Sequence, residues 1–136
     1  MNQADNAKRV ADFYDVLLSD FPRAVAEFLA DDIEWVNPLP DGIPFGGTYK
    51  GIERLGEYFT ELDAAIAMSP LHFTDIVGEG NVVSAIGVEE DTLVKSTGKR
   101  YTMPCVHVLR FNDAGRIEHV REYNDIREMV DAFSDA

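Results

Sequence analysis

The sequence predicts an α+β fold in which about three helices come before a set of mainly antiparallel strands. Two patterns predict it: apolar residues recur at helical spacing through most of the first half of the chain, and apolar and polar residues alternate over residues 71–124. Helices and strands therefore do not alternate one by one, as they do in parallel βαβ folds. With 136 residues, 46% of them hydrophobic, the chain can fill one core, so a single domain over residues 1–136 is expected.

Four segments show the pattern of helices. Three of them have an apolar stripe at helical spacing, over residues 6–18, 52–68 and 125–133. A short helix between the first two begins where Pro22 follows Asp20, because proline suits a first helical turn. Asp31 and Asp32 are expected to end this short helix, and Pro70 is expected to end the helix that starts at residue 52.

Strand signals begin at residues 33–37, where Trp35 lies near the centre of an alternating pattern. Pro38 ends this pattern, because proline lacks the N–H group that a strand ladder needs. Residues 38–51 are rich in proline and glycine and are predicted to form a long loop of the kind that often borders a site. Further strands are predicted at residues 71–77, 81–89, 92–94, 100–111 and 116–124.

The charge and the absence of long apolar runs exclude several classes of partner. Twelve Lys and Arg residues stand against 25 Asp and Glu residues, which gives a formal charge of −13. This charge repels phosphate backbones and anionic lipids, so neither nucleic acid nor a membrane surface is expected as a partner. The longest apolar run, residues 64–68, is far shorter than the roughly 18 residues of a membrane span. Residues 1–9 lack the apolar stretch of a secretory signal, so a cytoplasmic location is expected.

No familiar cofactor motif occurs in the chain. Cys105 is the single cysteine, which rules out an internal disulfide and a zinc site built from several thiolates. The His-X-His and His-Glu-X-X-His spacings of metal sites and the glycine-rich motifs of nucleotide sites do not occur either. The sequence therefore predicts no metal and no cofactor.

Two groups of residues resemble the motifs of a known superfamily. The first group is Ala30-Asp31-Asp32, then Glu34 and Trp35 before Pro38, then Gly47-Thr48-Tyr49-Lys50-Gly51 at the start of a long helix. The second group runs from Tyr101 through His107 to Arg121-Glu122-Tyr123-Asn124-Asp125. Together they resemble the superfamily of nuclear transport factor 2, ketosteroid isomerase and the SnoaL-like polyketide cyclases, and the second group resembles its SnoaL-like branch. The likeness covers almost the whole chain.

The resemblance implies a cone-shaped fold, in which a curved, mainly antiparallel mixed sheet wraps around the helices and encloses an apolar pocket. It also implies a homodimer formed through the outer face of the sheet. The pattern of residues 100–111 agrees with this, because both faces of that strand carry apolar side chains. The pocket residues implied are Trp35, Tyr14, Phe13, Leu17, Phe59, Met103, Cys105, Val120 and Asn124.

The same resemblance implies a function. The expected protein is a SnoaL-like enzyme that binds a small apolar molecule, such as a polyketide, steroid or terpenoid, in a deep pocket. It would catalyse cofactor-independent general acid–base chemistry, namely isomerisation, cyclisation or dehydration. The alternative is a non-catalytic ligand-binding or dimeric interaction module of the same fold. This alternative is favoured by the position of the ketosteroid isomerase base, which is Asn37 here, and the family's helix tyrosine falls on Phe13, next to Tyr14.

The resemblance implies three candidate catalytic residues, His107, Glu122 and Asn37. His107 falls at the position of the oxyanion-stabilising carboxylic acid of ketosteroid isomerase, and Glu122 at that of the last-strand aspartate of the superfamily's epoxide hydrolases. Neighbouring antiparallel strands can bring His107 and Glu122 to one face, with Glu122 as proton acceptor and His107 as its partner or as an oxyanion donor. An apolar pocket raises the pKa of a carboxyl, and a nearby His107 lowers it again. The structural alternative is a buried pair that only satisfies its own polar groups. Asn37 is expected either to bind a ligand carbonyl or to cap the loop after it.

Two further expectations concern side-chain direction. On residues 116–124, Ile117, His119, Arg121 and Tyr123 are predicted to face away from Val120 and Glu122. The surplus acidic residues, including Glu89, are interpreted as a solvated surface.

Overall fold

Four helices and seven strands form the part of the chain that the computed structural model describes, residues 3–69 and 71–135. The helices are α1 (Gln3–Leu17), α2 (Phe21–Phe28), α3 (Ile52–Ala65) and α4 (Arg127–Phe133). The strands are β1 (Leu29–Asn37), β2 (Gly47–Lys50), β3 (Ile66–Ala67), β4 (Leu71–Glu79), β5 (Val82–Val94), β6 (Arg100–Phe111) and β7 (Ile117–Asn124). None of the described helices is long and apolar enough to cross a membrane.

The seven strands form one mixed sheet with the order β2-β1-β7-β6-β5-β3, and β4 also pairs with β5. The pairing of β1 with β7 is parallel, and the other pairings are antiparallel. Register shifts interrupt four of the pairings. Such irregularities bend strands and increase their twist, so the sheet curls around the helices. The predicted α+β fold with a curved, mainly antiparallel mixed sheet is confirmed.

The core lies between the helices and the inner face of the sheet. Helix α1 packs on β4 and β5, and α3 packs on β1, β2 and β3. Phe13, Trp35, Leu55 and Leu109 are almost completely buried in this layer. Burying several large side chains of this size supplies about 1.5–3 kcal/mol each, which is why the apolar stripe of α1 faces the sheet.

Two helices end more than one residue earlier than the sequence predicts. The short helix α2 stops at Phe28, and Asp31 and Asp32 lie in β1, where their side chains are exposed. The strand begins early because Leu29 pairs with Ile117 of β7. Helix α3 stops at Ala65, because Ile66 and Ala67 pair with β5. Pro70, expected to end this helix, lies outside the described residues.

The predicted loop over residues 38–51 contains a strand. Gly47–Lys50 pair with the second half of β1 as strand β2. Glycine content suggested a loop here, and the two glycines that border this strand do have positive φ angles, 121° at Gly47 and 86° at Gly51. These angles let the chain enter and leave a short strand that composition alone does not reveal.

The two strands predicted at residues 81–89 and 92–94 are one strand, β5. A bulge between Glu89 and Thr92 joins them, and Asp91 there has a φ angle of 49°. Because a bulge adds a residue to one strand, the side chains of Glu89 and Thr92 both lie on the buried inner face. The interpretation of Glu89 as part of a solvated surface is therefore wrong.

Strand β6 has the predicted bounds, and β7 begins one residue later than predicted. Ile117 is completely buried, contrary to the prediction that it faces outward. A register shift next to Arg110 places Ile117 opposite Phe111, which turns it into the core. His119 and Tyr123 lie on the outer face, as predicted, and His119 is 3.6 Å from Glu34.

Candidate functional site

A cavity of about 480 Å³ opens between α1, α3 and the inner face of the sheet. Its walls are mainly aromatic, with Tyr14, Trp35, Tyr58, Phe59 and Phe73 around it. This volume lies in the range of pockets that hold drug-sized molecules. The cavity also contains three carboxyl groups, those of Asp15, Glu89 and Glu122, and the imidazole of His107.

Six of the nine predicted pocket residues line this cavity, namely Tyr14, Leu17, Trp35, Phe59, Met103 and Cys105. Phe13, Val120 and Asn124 do not line it. Phe13 packs behind the cavity wall, against Phe28 and Trp35. Successive helical residues point about 100° apart, which is why Tyr14 reaches the cavity and Phe13 does not.

The strand register brings His107 and Glu122 together. His107 on β6 lies directly opposite Glu122 on β7, and His107 Nε2 is 3.3 Å from Glu122 Oε1. Both side chains are buried. Each lines the cavity, so the imidazole and the carboxyl lie side by side on the inner face of the sheet, as the sequence predicts.

The carboxylate of Glu122 has four hydrogen-bonding or charged neighbours. Its Oε2 accepts hydrogen bonds of 2.8 Å from both the indole N–H of Trp35 and the hydroxyl of Tyr58. Its Oε1 accepts from Asn124 Nδ2 at 3.3 Å and faces His107. Burial raises the pKa of Glu122, but His107, Trp35 and Tyr58 outweigh it and lower that pKa to about 2. Glu122 is therefore an ionised and weakly basic carboxylate.

His107 links this carboxylate to Tyr14. The hydroxyl oxygen of Tyr14 is 2.6 Å from His107 Nδ1. Burial lowers the pKa of His107, but the electrostatic effects of Tyr14 and Glu122 and the hydrogen bonds with Cys105 and Glu122 raise it well above its usual value. Burial raises the pKa of Tyr14 to about 12, so its phenol stays protonated. A protonated His107 donates to both neighbours, which leaves the Tyr14 O–H free to donate into the cavity.

Asn37 does not line the cavity. Its side chain is buried, donates a 3.0 Å hydrogen bond to the Tyr58 hydroxyl and accepts one of 3.2 Å from Asn124 Nδ2. Neither predicted role, contact with a ligand or a loop cap, matches these bonds. Asn37 instead orients Tyr58, which in turn donates to Glu122.

Sequence reasoning missed Tyr58 and Glu89. Tyr58 lies three residues after Leu55 and four before Leu62 on α3, and this spacing could have placed it on the buried face. Glu89 continues the inward alternation of Val83 and Ala85 along β5, which was the available signal. It is 7% exposed and accepts a 2.9 Å hydrogen bond from the Thr92 hydroxyl. Burial raises the pKa of Glu89, and the Tyr101 and Thr92 hydroxyls partly oppose this.

Among residues 3–69 and 71–135, no three His, Cys, Asp or Glu side chains are grouped as metal ligands. Cys105 has a free, buried thiol beside His107 on the same face of β6.

Comparison with solved structures shows the same fold in several other proteins. A protein of the nuclear transport factor 2-like type from Burkholderia xenovorans has a TM-score of 0.85 at 23% identity, over 98% of this chain and 99% of that chain. TerC, crystallised with polyporic acid, has a TM-score of 0.80 at 21% identity, over 94% and 97%. A candidate SnoaL-like polyketide cyclase from Mesorhizobium loti has a TM-score of 0.70 at 23% identity, over 88% and 97%.

No curated protein matches the chain significantly. The model of the SnoaL-like domain family matches residues 10–120, which is most of the chain. This match, together with the curled sheet and its enclosed cavity, shows that the chain belongs to the SnoaL-like domain family.

Proposed function

We propose that this protein binds a small, mostly apolar molecule in the cavity and catalyses cofactor-independent general acid–base chemistry on it, that is, isomerisation, cyclisation or dehydration. The observation that carries the proposal is the chain of contacts from Glu122 through His107 to Tyr14, which ends at the cavity. Such a chain turns a phenol into a hydrogen-bond donor backed by a positive charge.

This donor suits a ligand oxygen on which negative charge develops. When a proton leaves the carbon next to a carbonyl group, the oxygen becomes an enolate, and a positioned donor stabilises it. The Tyr14 hydroxyl supplies this hydrogen bond, and the protonated His107 behind it strengthens it. One donor of this kind is worth roughly 10²–10³ in rate.

In this proposal Glu122 positions His107 and does not itself transfer protons. A carboxylate with four donors around it and a pKa of about 2 removes protons poorly, so the role of proton acceptor does not suit it. Its charge keeps His107 protonated and oriented. Asn37 acts further back as a positioning residue, because it reaches Glu122 only through two other side chains, Tyr58 and Asn124.

The lining also favours an uncharged or cationic ligand. The cavity contains the carboxyl groups of Asp15, Glu89 and Glu122, and no Lys or Arg is among its described lining residues. An anionic ligand would therefore lose its hydration without gaining a free cation. The crystals of TerC with polyporic acid and the candidate polyketide cyclase support a small molecule of polyketide, steroid or terpenoid size as the ligand.

A two-step experiment tests the proposal. Thermal shift with steroids, aromatic polyketide-like ketones and terpenoid ketones first selects compounds that stabilise the folded protein. NMR in D₂O then measures whether the protein exchanges the acidic C–H protons of a bound ketone. Tyr14→Phe should slow this exchange about 100-fold while raising the dissociation constant at most about tenfold. Exchange at the wild-type rate in Tyr14→Phe would contradict the proposed donor.

The second candidate function is a non-catalytic ligand-binding module. Asn37 favours it, because this residue stands where ketosteroid isomerase has its base and is held in hydrogen bonds inside the core. The same experiment separates the two functions. A compound that binds in the cavity with no exchange and no conversion by the wild-type protein supports the module.

We also propose that two copies associate through the outer face of the sheet. Ile86, Val106 and Tyr123 lie side by side across β5, β6 and β7 on this face, and Ile86 and Tyr123 are 39% and 53% exposed. Light scattering after size exclusion should give the mass of a dimer for the wild type and of a monomer for Ile86→Glu. Val130→Glu, an exposed position on α4, is the control and should stay dimeric. A monomeric wild type would refute this association.

A further inference from the structure

The acid–base chemistry proposed above needs a proton acceptor. Most titratable groups of the cavity already have hydrogen-bond or ion-pair partners. Glu122 is bonded by Trp35, Tyr58 and Asn124 and pairs with His107. Both ring nitrogens of His107 have partners: Nε2 contacts Glu122 and Nδ1 contacts Tyr14. Asp15 lines the cavity from α1, but it is exposed to solvent and lacks the apolar burial of the other carboxyl groups.

Glu89 differs from these groups. It lines the same cavity from β5 and is only 7% exposed. Its Oε2 accepts a hydrogen bond from the neutral hydroxyl of Thr92. No positive charge contacts it among the described salt bridges. A carboxylate in apolar surroundings with few donors is a stronger base than one in water.

We infer that Glu89 is the proton-transferring residue of this cavity and replaces the base carboxylate whose usual position Asn37 occupies. This inference rests on the proposed function. The carboxylate of Glu89 takes the proton from a carbon next to the ligand carbonyl, and the C–H electron pair moves to the carbonyl oxygen, which accepts the Tyr14 hydrogen bond. Glu89 then returns the proton while the electron pair on oxygen re-forms the carbonyl group. In an isomerisation the C=C bond conjugated with the enolate moves and its far carbon takes the proton. In a dehydration a C=C bond forms to the neighbouring carbon, whose C–O bond breaks as its hydroxyl takes the proton and leaves as water.

The surroundings of Glu89 and Glu122 support different roles for the two residues, with Glu89 transferring protons and Glu122 remaining charged. Their pKa values are moved in opposite directions, that of Glu89 upward by burial and that of Glu122 down to about 2 by its donors. Carboxyls in one site whose pKa values are pushed apart commonly divide into a proton-transferring group and a permanent charge. The groups that face Glu89 are Thr92 on β5, Tyr101 and His107 on β6, and Glu122 on β7.

A chemical probe can test Glu89 without knowledge of the natural ligand. The probe is 5-nitrobenzisoxazole, an apolar bicyclic compound from which a base removes one C–H proton. The electron pair then forms a nitrile, the ring N–O bond breaks, and a coloured phenolate is released, so no other reactant is needed. Occupancy of the cavity is measured separately by quenching of Trp35, the single tryptophan of the chain, which lines the cavity.

The wild type should release the phenolate faster than free acetate at equal concentration, with a rate that rises with pH because the ionised carboxyl is the base. Glu89→Gln should lose about 100-fold or more of this rate while Trp35 quenching persists. Glu89→Asp should recover part of the rate. Glu90→Gln removes the exposed carboxyl next in the chain and should keep the wild-type rate.

Three results would overturn the inference. One is full activity of Glu89→Gln with Trp35 quenching intact. Another is quenching by the probe in the wild type without phenolate release, which would leave the ligand-binding part of the proposed function standing. A third is no quenching by the probe at all, which counts against an accessible apolar cavity and so against both proposals.

Discussion

The hydroxyl oxygen of Tyr14 lies 2.6 Å from Nδ1 of His107, although 93 residues separate them in the chain. Tyr14 comes from the helix α1 and His107 from the middle of β6, so only the packed fold brings them together. The contact joins an apolar cavity to a buried ion pair. The charge on the His107–Glu122 pair therefore acts, through the Tyr14 hydroxyl, on any group that accepts a hydrogen bond from it.

The first prediction concerns the protonation of His107. Both of its ring nitrogens should carry protons at neutral pH, and Tyr14→Phe should lower its pKa, because the phenol oxygen stabilises the charged ring. Heteronuclear NMR of the ring nitrogens across a pH titration measures this. Tyr123→Phe removes an exposed phenol on the outer face and should leave the titration unchanged. A His107 that is neutral at pH 7 would refute the charged form.

The second prediction concerns stability. Glu122→Gln leaves the buried His107 without a counter-ion and should lower the free energy of unfolding by about 3–5 kcal/mol. Urea unfolding measures it. Glu34→Gln is the matched control, since it removes a partly exposed carboxylate that lies 3.5 Å from Lys50 and 3.6 Å from His119, and it should cost about 0–1 kcal/mol. Equal losses in the two variants would show that burial of the pair does not matter.

The third prediction is the pH dependence of that loss. The folded pKa of Glu122 is about 2, below its usual value of 4.5, so its contribution to stability is complete above about pH 4.5 and is lost as the pH falls to about 2. The difference in unfolding free energy between wild type and Glu122→Gln should therefore shrink across this window. His107, with its raised pKa, contributes below its usual value and loses this contribution as the pH rises through the folded value. A difference that stays constant on acidification would count against the lowered pKa.

The fourth prediction concerns the wall formed by β4. A Cβ atom at Gly87 would meet the carbonyl oxygen of His72 and lie 2.8 Å from Cα of Phe73, so Gly87→Ala should destabilise the protein by about 1–3 kcal/mol. Gly56→Ala, within α3, meets Phe21 only at 3.6 Å and should stabilise by about 0.5–1 kcal/mol. Thermal unfolding of the two variants compares them directly. A stable Gly87→Ala would mean that β4 can move away from β5.

The family resemblance pointed to His107 and Glu122, and local patterns predicted that they share a face. His107 and Glu122 lie on consecutive antiparallel strands, where alternation and a short turn fix which residues can face each other. The bounds of β6 followed from the same alternation. The fold class followed from helical spacing in one half of the chain and alternation in the other.

The remaining features depend on contacts between distant segments. The direction of the Glu122 pKa shift depends on how many donors surround it, and Trp35 and Tyr58 come from β1 and α3. Alternation alone misplaced Ile117, because a register shift lies between Arg110 and Phe111, its partner on β6. The role of Asn37 was missed because its partners, Tyr58 and Asn124, are 21 and 87 residues away.

The parallel pairing of β1 with β7 has a consequence for how the protein folds. It places Trp35 near Glu122, 87 residues later, so the ion pair and its donors cannot assemble until β7 has been synthesised. Closing such a long segment costs chain entropy, and contacts of this range slow folding. A nascent chain that ends before β7 therefore has the aromatic wall and His107 without the Glu122 carboxylate, and apolar surface exposed in this way favours aggregation.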